Sequence, residues 1–477
     1  MSKIEVNTVE PQCGTTLTLG ASGDTVTLGC GASQSGFGRT GTVDWVTTVQ
    51  TSTITAVNGK GYFVNTTGGA ITANLPAGSA GSIVAFKDYA ATFDSNSLII
   101  SPNGSEKIGG TAGNAVLTTE SQSVTLVYID STQGWLDIHD STSSVAAAQY
   151  VTATVSGSGN TLSTSGDYKI ARFTGPGTFC VSQAGNSTGS NTVDYLVVAG
   201  GGAGNTKNAR NPNTPDRYAQ GGGGAGGLKA SSGTASGCYT AGPTPLTSPV
   251  SALPVSVQGY PITVGGGGSA PAVPGTCTQG NSGSNSTFST VTAHGGGGGG
   301  YGSPCTYSTA GANGGSGGGG GAGPPSEAGG TGNTPPSTPP QGNDGGSGTS
   351  VASTAAGGGG GATVVGTNGT GNPSAPSAAG GAGGAGLTSC ITASPVAYAG
   401  GGGGGAGYYG SSGTVTAGAG GSGGGGAGGN PSPSNGTSGT AATGGGGGGA
   451  GGNGSCGTCT GGNGGGGVVI IRYKFQN

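Results

Sequence analysis

Apolar residues come in short alternating bursts along residues 51–140. The bursts fall at 61–64, 70–76, 82–88, 98–100, 115–117, 123–128 and 134–138, with Gly, Asn, Ser and Pro between them. A period of two reads as β-strand, and turn signals at this spacing read as an antiparallel sandwich or barrel. No stretch keeps a 3.6-residue period, so helix is expected to be nearly absent. Upstream, Thr16-Leu17-Thr18-Leu19-Gly20 and Thr25-Val26-Thr27-Leu28-Gly29 are near copies of one short strand motif. Residues 1–50 hold too little apolar surface to fold as a single chain, so intertwined copies are expected to bury their Leu and Val faces. Residues 141–150 read as a linker or a short helix.

From residue 151 the pattern changes. Strand-like segments at 168–173, 178–181 and 193–199 are followed by long glycine tracts, and the chain closes on an apolar strand at 468–475. The expected arrangement pairs the two β-rich ends in one sheet and inserts the glycine-rich part between them. The tracts have no Gly-X-Y period, which excludes collagen. Glycine tracts can adopt the extended, left-handed, three-residue helix of polyproline II and bond to neighbouring copies of it. A flexible linker is the competing reading. Against it, the tracts stop and restart repeatedly, strand-like pieces interrupt them, and the region ends in an apolar strand.

Composition sharpens this picture. Of 477 residues, 119 are glycine, and only 6% are charged. An oily interior of the usual kind is therefore out of reach, and glycine loses the most entropy on ordering, so backbone hydrogen bonds must carry the order. The net charge is −3 with no basic patch, which argues against nucleic acid and membrane surfaces as partners. No apolar run is long enough to span a membrane, and the first residues carry no secretory signal. Between Lys229 and Arg472 only Glu327 and Asp344 are charged.

Candidate chemistry is sparse. The nine cysteines, Cys13, Cys30, Cys180, Cys238, Cys277, Cys305, Cys390, Cys456 and Cys459, include one close pair, Cys456-Gly-Thr-Cys459. The only histidines are His139 and His294, so a zinc site is not expected. His139, beside Asp137 and Asp140, reads as a strand end rather than a cation site. No glycine tract ends in the Lys-Ser/Thr of a phosphate loop. No pair of carboxylates can be placed face to face for glycan hydrolysis. The expectation is a protein that is not an enzyme and uses no cofactor or metal.

The segment Val193-Asp194-Tyr195-Leu196-Val197-Val198-Ala199-Gly200-Gly201-Gly202, the many tracts, and the closing Gly-Gly-Val-Val-Ile-Ile-Arg-Tyr resemble the glycine-rich domains of phage tail fibres and their adhesins. Ser2-Lys3-Ile4-Glu5-Val6-Asn7 and Gly36-Phe37-Gly38-Arg39-Thr40-Gly41 resemble the N-termini of structural proteins of marine and freshwater phages, cyanophages included. Residues 59–136 resemble a β-domain of similar fibres. The resemblance implies an all-β, elongated, trimeric tail fibre protein of the virion, with a β-framed polyglycine II bundle whose loops bind the host surface.

The expected division is then 1–50 for a short-strand virion-attachment region, 51–140 for an antiparallel β-sandwich, 141–150 for the linker and 151–477 for the glycine-rich domain. Expected partners are copies of itself, other tail or virion proteins through residues 1–50, and a host glycan or outer-membrane protein. Loops rich in Tyr, Ser and Asn suit adaptable recognition, which makes Tyr218, Tyr239, Tyr301, Tyr307, Tyr398, Tyr408 and Tyr409 candidate receptor-binding residues. Residues 205–220, 324–343, 387–399 and 430–443 are the candidate distal loops. The runner-up is a purely structural virion fibre without a receptor. An ice-binding bundle and a polysaccharide depolymerase fit less well.

Overall fold

The computed structural model describes residues 43–140, 148–186, 188–208, 218–233, 251–272, 278–303, 308–350, 354–371, 377–407, 414–432, 435–452 and 458–476. The chain divides into two compact units, 1–147 and 148–477. Among the described residues all regular secondary structure is β.

The first unit contains β1 (Asp44–Gln50), β2 (Ile54–Thr55), β3 (Lys60–Val64), β4 (Ile71–Asn74), β5 (Ile83–Asp88), β6 (Leu98–Ser101), β7 (Lys107–Ile108), β8 (Thr111–Ala112), β9 (Ala115–Leu117), β10 (Ser123–Asp130) and β11 (Gly134–Asp140). One sheet has the order β1-β3-β5-β10-β11-β7-β8 and the other β2-β4-β6-β9. The expectation of an antiparallel sandwich is corrected here, because both sheets are mixed. β1, β3 and β5 run parallel, and so do β2, β4 and β6. The chain steps from one sheet to the other at each strand from β1 to β6, so sheet neighbours are two strands apart and run the same way. Alternation along a strand reports which face is buried, but carries no information about this order.

The core lies between the inward faces and includes Phe86, Phe93, Leu98, Ile108, Leu126 and Trp135. The Trp135 indole N–H donates to Glu106 Oε2 at 3.1 Å, and Glu106 Oε1 accepts from the Gly78 N–H at 2.8 Å. Asp88, also buried, accepts from the backbone N–H groups of Thr92, Phe93 and Ser121. These carboxylates are occupied in holding loops.

The second unit opens with β12 (Thr152–Val155), β13 (Thr161–Ser165), β14 (Tyr168–Phe173), β15 (Gly177–Gln183) and β16 (Thr192–Val198), followed by β17 (Lys207–Asn208), β18 (Leu228–Ala230), β19 (Leu253–Pro254), β20 (Gln258–Thr263), β21 (Ser286–Phe288) and β22 (Val291–Ala293). It ends with β23 (Thr370–Gly371), β24 (Ala378–Ala379), β25 (Leu387–Ser389), β26 (Val396–Tyr398), β27 (Val415–Thr416), β28 (Thr458–Cys459) and β29 (Val468–Lys474). The closing strand β29 lies between β14 and β16, antiparallel to both. The two β-rich ends of the domain therefore do share one sheet. One face of it packs on the β12-β15-β20-β21-β22 sheet through Phe179, Tyr195, Phe288 and Tyr473. Its other face meets the glycine-rich part through Leu196, Val198, Ile470, Ala225, Leu228 and Ile391.

The glycine-rich residues form extended runs joined by backbone hydrogen bonds. Along 220–228 the N–H groups address three neighbours in rotation. Those of Gln220, Gly223 and Gly226 donate to the carbonyls of Ala450, Gly447 and Gly444. Those of Gly221, Gly224 and Gly227 donate to Gly300, Gly297 and His294, and those of Gly222 and Ala225 to Gly357 and Gly360. The carbonyls of this run accept from 199–205, 314–323 and 399–407. Six runs thus surround it, and each of the six bonds to the next to close a ring. Further runs lie outside the ring.

Only glycine and a few alanines, serines and other small polar residues fit such an interior. A Cβ on Gly223 would stand 2.1 Å from the Gly202 carbonyl oxygen. The order rests on satisfied backbone groups in place of an oily core.

Candidate functional site

Successive runs alternate in direction. The register shows this at each step: Gly202 donates to Gly224 and Asn205 to Gly221, Gly401 to Gly384 and Gly404 to Gly381, Gly462 to Gly448 and Gly465 to Gly445. Alternation gives the array two different ends. At one end lie β16, β18, β22, β26 and β29, whose ends adjoin residues 199, 228, 294, 399 and 467. This is the framed end, and several of its connections are tight. Between 354–362 and 363–369 the turn closes with a Gly361 N–H to Val364 carbonyl bond of 2.9 Å.

The opposite end carries many of the connections that lie outside the framing sheets. There the described chain leaves after 208, 303, 350, 371, 407 and 452, and returns at 218, 308, 354, 377, 414 and 458. Short ladders tie some of these stems together, β17 with β28 and β24 with both β23 and β27. Buried Ala219, Ala322 and Ala356 pack beneath them. A cleft of about 390 Å³ opens at this end, lined by Gly371, Ala378 and the hydroxyl-bearing Thr370, Ser377, Thr414 and Thr416. Its walls are small and uncharged, so they can exchange hydrogen bonds with a neutral polar ligand. The sequence reading missed these residues. The only signal for them was Thr and Ser at the margins of the glycine tracts.

The candidate tyrosines separate by end. Tyr218 is half-buried at the loop-bearing end, where its carbonyl accepts from Gln220 Nε2 at 2.8 Å. Tyr301 is also at that end but only 4% exposed, and its N–H donates to Thr309 Oγ1 at 2.7 Å. Tyr398 lies on β26 at the framed end, 3% exposed, among the residues that join array to sheet. Burial pushes its phenol pKa up, and the nearby Arg172 offsets part of the rise. The chain itself covers the rings of Tyr301 and Tyr398. Tyr239, Tyr307, Tyr408 and Tyr409 lie outside the described residues.

The candidate loops divide in the same way. Residues 205–220 connect runs at the loop-bearing end, and 387–399 connect runs at the framed end. Residues 324–343 and 430–443 each span a complete run, so each contributes a connection to both ends. The framed-end part of the former is pinned, because Lys229 Nζ donates to Ser337 Oγ at 2.7 Å and to the Pro339 carbonyl. Desolvation there lowers the Lys229 pKa. Among the described cysteines, Cys180 and Cys390 are free thiols, and Cys459 on β28 is disulfide-bonded. Among the described residues no cluster of three metal-ligating side chains occurs.

Comparison with known families agrees with this architecture. Residues 174–474 match the glycine-rich domain family, and the chain belongs to that family. Residues 18–156 match the N-terminal part of bacteriophage T4 gp9/10-like proteins. Together the two matches define a phage tail- or baseplate-associated structural protein, a component of the virion. A search of curated proteins returned no match.

Proposed function

We propose that the chain is a tail fibre protein whose loop-bearing end binds a receptor on the host surface. One observation supports this most: the alternation of runs gathers many connections, tied only by short ladders, at the end opposite the framing sheet. There they can vary in length and sequence without disturbing the array. The receptor-contacting set in this reading is the Thr370, Ser377, Thr414 and Thr416 cleft with Tyr218, Tyr307, Tyr408 and Tyr409. Such a set suits a glycan or the polar surface of an outer-membrane protein.

The runs themselves are read as polyglycine II helices, since a three-residue rotation of hydrogen-bond partners is what a threefold extended helix requires. Residues 1–50 are read as the virion attachment region. The protein is read as a homotrimer, in which the copies together cover the apolar positions of the N-terminal segment. The match to phage structural proteins supports a non-enzymatic role.

The test is binding of the purified full chain to cells that the parent virion infects, with and without replacement of 408–413 by a short glycine-serine turn. Saturable binding that the replacement weakens supports the adhesin. Equal saturable binding by both proteins would put the receptor site elsewhere on the chain, and no binding by either favours a fibre that carries none.

A further inference from the structure

The ring of runs around 220–228 is enclosed by an outer set, and neighbouring outer runs are joined by backbone hydrogen bonds all the way round, with one exception. Gly311 donates to Ala328, Gly345 to Gly330, Gly366 to Asp344, and the sequence continues past Gly464 to Gly268 and Ser284 to Gly266. Among the described residues no backbone bond joins 278–285 to 308–312. One position of the packing is therefore open. Its floor is the run 294–302.

The N–H groups on that floor reveal how the gap is closed. Along 294–302 they again address three directions in rotation. Gly296 and Gly299 donate to 199–205, and Gly297 and Gly300 to 314–323. The third set should meet the missing run and instead meets side chains. Gly295 donates to Asn285 Oδ1 at 2.9 Å, Gly298 to Ser282 Oγ at 3.4 Å and Tyr301 to Thr309 Oγ1 at 2.7 Å. Across the gap Gln279 Nε2 donates to the Ala310 carbonyl at 2.8 Å.

We infer that Gln279, Ser282, Asn285 and Thr309 form a plug that keeps an extended glycine-rich strand of a second copy of this chain from joining the array. The argument is one of neighbours. A strand laid on the outside of a complete shell touches two runs, whereas a strand in the open position touches three, 294–302 and both flanking runs. This makes it the favoured place for another chain to add itself, as at an uncovered sheet edge. The plug satisfies the donors that would recruit such a strand, and a backbone group already satisfied gains little from a new partner.

The test uses the full chain carrying Gln279→Gly, Ser282→Gly and Asn285→Gly together. The control carries Asn281→Gly and Ser284→Gly on the same run. The probe is a synthetic nonaglycine peptide flanked by lysines, with binding followed by fluorescence anisotropy and assembly by sedimentation velocity. The triple variant is expected to bind the peptide at least about tenfold more tightly than the wild type, the worth of one or two released hydrogen bonds. It should also sediment as a larger assembly than the wild type, and the control should match the wild type in both. Should the triple variant fail to fold, Gln279→Ala alone is read in its place and should bind the peptide more tightly than the wild type. A folded variant with unchanged affinity and unchanged assembly overturns the inference. So does a wild type or control that binds as well as the variant.

Discussion

At the scale of single residues the glycines are not equivalent. Gly223 lies in the central run, and the carbonyl of Gly202 occupies the space a Cβ would need. Gly266 has no atom within 4 Å of that place. Gly223→Ala should therefore cost at least about 1–3 kcal/mol, as overpacking does, and Gly266→Ala no more than about 0.5 kcal/mol. Denaturant titration of the two variants measures the difference.

Tyr473 makes a second residue-scale prediction. Burial pushes its phenol from the ordinary 10.0 up to about 12, and its hydroxyl donates to the Ala153 carbonyl at 3.4 Å. The folded state thus holds this proton more tightly than the unfolded chain. The stability tied to it is complete below pH 10.0, and is lost as pH rises through the unfolded and then the folded pKa. Thermal melts should fall in this window, and Tyr473→Phe should flatten that part of the decline.

At the scale of elements, strands and their partners were legible to different degrees. Each of the seven alternating bursts in 51–140 became a strand, because alternation reports burial of one face directly. The partner order was not legible. β3 and β5 are parallel neighbours with β4 in the other sheet, and nothing in their periodicity distinguishes this from a hairpin. Short pieces such as β7 and β8, two residues each, carry no pattern at all.

The connections give a prediction at this scale. A ten-residue Gly/Ser insertion within 408–413 lengthens an already long connection, which should cost about 0.6 kcal/mol for a doubling of its length. The same insertion between 362 and 363 opens the turn closed by the Gly361–Val364 bond. It should cost at least about 1 kcal/mol more. Melting temperatures of the two insertion variants should rank accordingly.

At the scale of the glycine-rich domain, the sequence announced its frame and hid its plan. The apolar segments at 193–199 and 468–475 pointed to a shared sheet because nothing else could cover them. The tracts gave no hint of which run neighbours which, since glycine offers no side chain to mark a face. For the same reason Tyr301 and Tyr398 looked like surface residues when their tract ends place them in the interior. The cleft lined by Thr370, Ser377, Thr414 and Thr416 escaped notice because its parts come from separate connections.

The most direct test of the ordered array is hydrogen exchange on protein labelled with ¹⁵N-glycine and read by NMR. The array predicts that a large share of glycine amides, those of the central run and its ring, exchange only through opening of the whole domain. Glycine amides that all exchange at the rate of an unstructured peptide would contradict it, and would return the tracts to the role of a flexible linker.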